Sequence, residues 1–394
     1  MTIAPRLDVR ISGRTVQIDR AVFVELLENS VASSYVGYER ALQSGSITFR
    51  DLVELARHGQ IPYCLFFAPL PLVREQVAAK TRKLLAGMTK DTFSINSRDV
   101  VEMRDVELIV KDLLRKQELL KRCDPTLTKN AIVGLLSRPG TSPAADADKL
   151  MAALGLTHEA IISADDKTAA LAYIIARLED NQILVSQSAP SVMPQRLTVS
   201  FSGLTIKDSK VPYVFLAGGD PGDYQEPVGR RIFTLTLLAV LVARKVFAPV
   251  TYDGSSVERD VGREYDIVGE ILMPAARFRE CRLDSLDDVK AVSDLFKVTA
   301  SAVAVRAMRL GVLDGAVTTR YLDELRREYE RISKPPMRSP LVVNALRKYN
   351  GRELSVRMLD ALDAGKVSAK DFCRVVCLNH IQPAQIGDYR QALR

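Results

Sequence analysis

Imidazole, thiol and carboxylate side chains are the groups that could bind a metal ion in this chain of 394 residues. Zinc peptidases commonly hold the ion with two histidines one helical turn apart, beside a glutamate that activates the bound water. The chain has three histidines, His58, His158 and His380, and no two of them have this spacing. His158-Glu159 begins such a pattern, but Ile162 stands where the second histidine is required. We therefore expect each histidine to be a surface or interface residue.

The cysteines provide a second set of potential ligands. Cys373 and Cys377, with His380, have a spacing that could place all three on one helix face. The alternative is that both cysteines are buried as small apolar side chains. The five cysteines are scattered and odd in number, which argues against a disulfide framework and indicates a reducing, cytoplasmic environment. No G-x-S-x-G elbow and no motif around a cysteine–histidine pair is present, although an unrecognised enzyme class stays open.

Residues 230–244 form the segment around which the other elements are arranged. Their composition predicts an apolar helix with an early pair of threonines, Thr234 and Thr236, and with arginines at both ends. The run Val211–Leu216 comes before it and is apolar enough to be an interior strand. A second helix is predicted from Val257 to Met273, and Pro274 ends it.

The order of these segments resembles the core of the ImmA/IrrE family of zinc endopeptidases. In that family the helix reads FTLxHExxH, and a later segment ends in a Leu-Met-Pro-like turn. Here Phe233-Thr234-Leu235 and Ile271-Leu272-Met273-Pro274 match those features, and residues 296–313 follow the family's helical cadence. The ligand positions differ, because the chain has Leu237, Leu238 and Leu241 in place of the histidine, the glutamate and the second histidine. Val261, Gly262 and Arg263 occupy the neighbourhood of the family's third ligand, a glutamate.

The resemblance implies a zincin-like small sheet with helices that has lost its metal. Three buried leucines would each contribute about 1.5–3 kcal/mol of transfer free energy, so we expect side chains to fill the former ligand cavity. We accordingly expect a pseudo-metallopeptidase with no catalytic residue, no metal site and no cofactor. Leu237, Leu238 and Leu241 are the degenerate zinc-motif positions.

The N-terminal part predicts a different kind of domain. Residues 1–18 alternate between apolar and polar side chains, which predicts two strands or an extended arm around Ser12-Gly13. Thr48 is the predicted N-cap of a helix that Ile61-Pro62 ends. The segment 44–67 resembles the second half of an Xre-type helix-turn-helix domain, whereas the first half departs from that pattern. The residues that this resemblance offers for DNA contact are Tyr35, Tyr38, Arg40 and Arg50; the alternative is a helical scaffold or dimerisation element.

The predicted fold class is α+β and mainly helical, in four parts. Residues 1–70 are a degenerate helix-turn-helix-like domain, and 71–147 are a helical connector. Residues 148–333 are the ImmA/IrrE-like pseudo-protease core, and 334–394 are a C-terminal helical module. Proline, glycine and small residues between Arg138 and Asp148 are typical of a linker.

Composition narrows the functional classes further. The net charge of +7 permits contact with DNA or an acidic partner, but the charge is spread along the chain. The longest apolar run, Leu235–Val242, is far shorter than the roughly 20 residues of a membrane span, so we expect a cytoplasmic protein without a membrane partner. Long proteins that combine an Xre domain with an ImmA/IrrE core act on phage repressors or pair with toxins. We expect a regulator that binds a toxin or repressor protein stoichiometrically, with DNA binding as the alternative and a homodimer as an open option.

Overall fold

The computed structural model describes residues 5–88, 93–95, 101–197, 201–218, 226–252, 262–331 and 340–394. These residues form a mainly helical α+β structure, which confirms the predicted class at this level. They divide into two compact units, the first within residues 1–86 and 101–112 and the second within 87–100 and 113–394. The predicted boundary after residue 147 falls inside a helix, and the one after residue 333 lies outside the described residues.

The first unit contains a small mixed sheet. Its strands are Arg6–Ile11 (β1), Arg14–Asp19 (β2) and Ser46–Thr48 (β3), in the order β2-β1-β3. β1 pairs antiparallel with β2 and parallel with β3. The predicted strand pair around Ser12-Gly13 is confirmed, and both turn residues have positive φ, as a two-residue hairpin turn of type I′ requires.

The helices of the first unit are Arg20–Glu28 (α1), Val36–Ser44 (α2), Phe49–His58 (α3) and Leu70–Leu85 (α4), with short 3₁₀ helices at Val31–Ser34 and Tyr63–Phe67. The predicted cap is confirmed, because Thr48 Oγ1 accepts a hydrogen bond of 3.1 Å from Asp51 N. α3 ends at His58, before the predicted stop at Ile61-Pro62, and Gln60 already has a positive φ. Leu7, Val9, Phe23 and Leu52 are among the buried residues between the sheet and these helices.

The second unit contains a five-stranded sheet in its described part. Its strands are Phe93–Ile95 (β4), Leu184–Gln187 (β5), Gly203–Ile206 (β6), Tyr213–Leu216 (β7) and Pro249–Tyr252 (β8), in the order β4-β8-β6-β7-β5. The β4–β8 and β5–β7 pairs are parallel, whereas β6 is antiparallel to both of its neighbours. The apolar run from Val211 is confirmed as an interior strand, and all four residues of β7 are fully buried.

The remaining helices belong to the second unit, apart from the first half of Met103–Cys123 (α5). They are Pro143–Leu154 (α6), His158–Ile162 (α7), Lys167–Asp180 (α8), Val228–Ala243 (α9), Arg263–Leu272 (α10), Ala275–Phe278 (α11), Leu286–Leu295 (α12), Ala300–Arg309 (α13), Gly315–Arg331 (α14), Val342–Asn350 (α15), Arg352–Asp363 (α16), Ala369–Asp371 (α17) and Ile386–Ala392 (α18). A π-helix at Phe372–Val376 continues α17, and Pro383–Gln385 is a 3₁₀ helix.

The predicted linker at residues 138–148 is a structured segment instead. Ser142 caps α6 by accepting a hydrogen bond from Ala145 N, and Pro143 takes the first helical position. Asp146 is buried and accepts a hydrogen bond of 2.8 Å from Gly140 N. Pro143 begins the helix, and Gly140 lies in the segment that leads into it. Composition alone does not distinguish such a helix start from a flexible linker.

Two further sequence expectations concern a helix and the membrane. The predicted helix from Val257 is described only from Arg263, because residues 253–261 lie outside the description. In the part of the chain that the structure describes, no helix combines the length and apolar character needed to cross a bilayer.

Candidate functional site

α9 is the helix that carries the degenerate zinc-motif positions. It packs against β6, β7, α8 and α10, and every residue from Ile232 to Ala243 is buried. Leu237, Leu238 and Leu241 are each fully buried in the main apolar core. The prediction that this segment is a buried core helix is therefore confirmed. Whether these positions descend from a zinc motif stays a prediction.

Contact between α9 and the sheet is close at Leu238. Gly203 on β6 faces this side chain, and a Cβ added to Gly203 would lie only 2.9 Å from Leu238 Cδ1. Leu238 therefore packs directly against the backbone of β6, and apolar side chains fill this part of the core. Thr236 is a buried polar residue of α9. Its Oγ1 donates a 2.9 Å hydrogen bond to Ile232 O within the same helix.

Charged residues near the expected third ligand take part in ion pairs. Arg263 Nε donates to Asp146 Oδ2 at 2.9 Å, and its Nη2 donates to Gly140 O at 2.7 Å. Glu264 Oε1 lies 3.4 Å from Arg244 Nε, at the end of α9. These bonds attach the start of α10 to neighbouring elements. Over the described ranges, no group of three histidine, cysteine or acidic side chains is placed to hold a metal ion.

Each of the three histidines has its own set of contacts. His158 Nδ1 is 3.1 Å from Ile271 O, and His380 Nε2 is 3.0 Å from Val192 O. His58 belongs to the first unit, where its ring stacks on Tyr35 with centroids 4.5 Å apart. Each imidazole therefore contacts a carbonyl or an aromatic ring of another element.

The structure agrees better with burial of the two cysteines as apolar side chains than with a metal site formed by them. Cys373 and Cys377 are both buried, whereas His380 is exposed. Burial raises the pKa of the Cys377 thiol to about 12. A thiol that stays protonated is a weak metal ligand, since the thiolate is the binding form.

A second candidate site is an open cleft in the first unit, here called the α2–α3 cleft. Its volume is about 470 Å³, within the range of ligand clefts. Its lining side chains are mostly polar: Arg10, Tyr35, Arg40, Ser44, Ser46, Thr48, Asp51, Glu54 and His58. Gly37 of α2 approaches α3 closely, and a Cβ added there would lie 3.6 Å from Leu55 Cδ2.

Of the four candidate DNA-contact residues, two line this cleft and two lie elsewhere. Tyr35 and Arg40 line the cleft, whereas Arg50 is exposed elsewhere on α3. Tyr38 corrects the expectation, because it is only 5% exposed and its ring stacks on Phe23. Its hydroxyl donates a 3.0 Å hydrogen bond to Glu28 Oε1, so Tyr38 is a core residue that cannot reach a base edge.

The acidic lining of the cleft is a feature that the sequence reasoning missed. Asp51, Glu54 and His58 lie on α3 at spacings of three and four residues, so they share one face of the helix. That periodicity is the signal that could have identified them. On β1, Arg10 lines the cleft, and its Nη2 donates to Ser46 Oγ of β3.

The α2–α3 cleft and the closed core around α9 are thus the two places where the structure bears on function. The first is an open cleft lined by charged and hydroxyl side chains over apolar surface, and the second is a core of closely packed apolar side chains. No protein-family model, curated protein or solved structure matches this chain.

Proposed function

We propose that this protein is a non-catalytic regulator that acts by binding a partner protein stoichiometrically. Its second unit would be a pseudo-metallopeptidase scaffold of the ImmA/IrrE type, with a zincin-like sheet and helix. The resemblance in Phe233-Thr234-Leu235 and Ile271–Pro274 motivates this assignment. By the same resemblance, the partner would be a toxin or a repressor from a phage or mobile-element setting, and the complex would form in the cytoplasm.

The single observation that carries the proposal is the packing of α9. A peptidase helix must leave its ligand positions open to a metal ion, a water molecule and a substrate. Leu237, Leu238 and Leu241 are instead fully buried, and Leu238 packs directly beneath β6. A fold that fills this space with leucine retains a stable scaffold, and binding is the activity that such a scaffold can still perform.

The test is complex formation with the product of the adjacent gene. The two proteins are co-expressed, and size-exclusion chromatography with light scattering measures the mass of any complex. We expect a complex of fixed stoichiometry in which the partner stays intact, with added zinc or with EDTA. Zinc-dependent cleavage of the partner would contradict the proposal.

DNA binding by the first unit is the second candidate function. One observation favours it: Tyr35 and Arg40 of the first unit are exposed, and α2 is joined to α3 by the short connection 45–48, which contains β3. A gel shift with the upstream DNA of its own gene, repeated over a range of salt concentrations, tests it. A shift that weakens steeply with salt would favour this function, because phosphate contacts release counterions.

A further inference from the structure

We infer that the α2–α3 cleft binds a protein segment that carries both an acidic and a basic side chain. The inference rests on the proposed binding function and assigns a surface to it. It also distinguishes between partner classes, because a nucleic acid and a mixed-charge peptide require different charges in the cleft.

The basic part of the cleft has a free guanidinium. Arg40 is exposed on α2 and, among the described residues, forms no ion pair or hydrogen bond. Arg10 lies on β1, and its bond to Ser46 directs the guanidinium toward the cleft. A carboxylate is the natural ligand of two such groups, because guanidinium and carboxylate pair through two parallel hydrogen bonds.

The acidic part comes from α3. Asp51 is exposed, and within the described chain its carboxylate has no ion-pair partner. Glu54 is also exposed, and its contact is with His58, at 3.9 Å between Oε1 and Nε2. These two carboxylates are therefore available to a lysine or arginine of the bound segment.

Apolar surface lies beneath and beside these charges. Ala41, Ile47 and Leu55 are buried side chains that form the base of the cleft. The stacked rings of Tyr35 and His58 form one wall, and Tyr35 is 37% exposed. An aromatic surface next to exposed charges is typical of sites that bind protein segments, in which tyrosine and arginine are enriched.

The balance of charge argues against nucleic acid in this cleft. Arg10, Arg40, Asp51 and Glu54 all line the cleft, and the charges of these four side chains sum to zero. Affinity for DNA depends on basic side chains that neutralise phosphates, and carboxylates in the same cleft repel phosphates. A segment with both signs of charge satisfies all four side chains.

The experiment is a selection followed by binding measurements. A phage-displayed library of random dodecapeptides is selected on the full-length protein and counter-selected on the Arg40→Glu variant. The selected peptides are synthesised with a fluorescent label, and their Kd is measured by fluorescence anisotropy. A labelled DNA duplex of random sequence is measured in parallel. We expect the selected peptides to contain at least one acidic and one basic residue.

The variants decide between the outcomes. For a mixed-charge segment, Arg40→Glu and Asp51→Lys should each raise the peptide Kd by about tenfold or more, because each places like charges together. Arg57→Glu is the matched control, since Arg57 is exposed on α3 and does not line the cleft, and it should leave the Kd unchanged. All three are surface changes, and equal Tm values confirm that the variants are folded.

Two results would overturn the inference. The first is a selection that yields no peptide sensitive to Arg40→Glu and Asp51→Lys. The second is DNA binding that Asp51→Lys strengthens and Arg40→Glu weakens, which identifies the cleft as a phosphate site. Peptides or a partner that bind elsewhere would refute this site but leave the proposed function standing, so the two failures are distinguishable.

Discussion

Arg306 of α13 and Glu270 of α10 form a nearly buried ion pair, with 2.6 Å between Nη2 and Oε1. Arg306 Nε also donates to Met273 O at 3.2 Å, and Glu270 Oε2 accepts from Ala275 N at 3.1 Å. The pair therefore bonds to the backbone on both sides of Pro274. This arrangement gives the Ile271–Pro274 turn a physical basis, since α13 holds the end of α10 in place.

Breaking this pair should destabilise the second unit. Arg306→Met leaves the Glu270 carboxylate largely desolvated, and we expect a loss of about 3 kcal/mol in the free energy of unfolding. Urea denaturation followed by circular dichroism measures it. The control is Arg326→Met, which breaks an exposed pair with Asp323 on α14 and should cost less than about 1 kcal/mol. Equal losses for the two variants would show that burial of the Arg306 pair has no energetic effect.

Leu238 should be essential to the packing of α9. Leu238→Ala opens a cavity between the helix and β6, and we expect it to lower the free energy of unfolding by about 2–5 kcal/mol. Leu72→Ala is the matched control, because Leu72 is 44% exposed on α4; we expect a change within about 0.5 kcal/mol. Chemical denaturation of both variants checks the prediction. A small loss for Leu238→Ala would mean that the core around α9 is loosely packed, which contradicts a closed core.

Glu179 should make stability depend on pH. It lies on α8, and its Oε1 accepts a 3.3 Å hydrogen bond from Glu353 N, at the start of α16. Burial raises the pKa of this carboxyl from 4.5 to about 7. The folded chain therefore keeps a proton that the unfolded chain releases, so stability from this group is present below pH 4.5 and is lost as the pH rises through 7.

The measurement compares the wild type with Glu179→Gln at about pH 5 and about pH 8. We expect the wild type to lose up to about 3 kcal/mol more than the variant over this interval. Asp180→Asn serves as the control, because Asp180 is adjacent in sequence but 54% exposed, and it should keep the wild-type slope. Parallel pH profiles for the wild type and Glu179→Gln would contradict the assignment.

Gly351 should tolerate no side chain. Its φ is +76°, and an added Cβ would overlap the carbonyl oxygen of Val185 and come within 2.6 Å of Glu179 Oε1. We expect Gly351→Ala to cost about 3 kcal/mol or more, as overpacking adds to backbone strain. Gly365→Ala is a control with a similar φ of +69° and open space around it, so it should cost only about 1–2 kcal/mol. Thermal unfolding of both variants separates the cost of steric overlap from the cost of placing alanine at a positive φ. Equal losses of stability for the two variants would contradict the predicted overlap at Gly351.

Short sequence patterns predicted a helix cap, a turn and an interior strand, which depend on neighbouring residues or on the composition of one segment. Thr48 was recognisable as a cap, and Ser12-Gly13 as a turn, because each depends on a few neighbouring residues. The apolar run that ends at Leu216 was recognisable as an interior strand because its composition suits burial on both faces. The short strands β3, β4 and β8 were not predicted, since strands of three or four residues are defined by the partners with which they pair.

The candidate site depends more strongly on tertiary packing. Tyr35 and Tyr38 are three residues apart and look equivalent in the sequence, but only Tyr38 is buried against Phe23. Arg10 reaches the α2–α3 cleft only because β1 pairs with β3. These contacts join distant parts of the chain, and residue spacing does not encode them.

The central claim is that the core around α9 is closed to metal and substrate, so that the protein acts by binding. The most direct measurement is the zinc content of the full-length protein, purified with zinc present and then dialysed, by inductively coupled plasma mass spectrometry. We predict far less zinc than protein and no zinc-dependent cleavage of casein by the same sample. Stoichiometric, tightly bound zinc together with zinc-dependent proteolysis would contradict the claim.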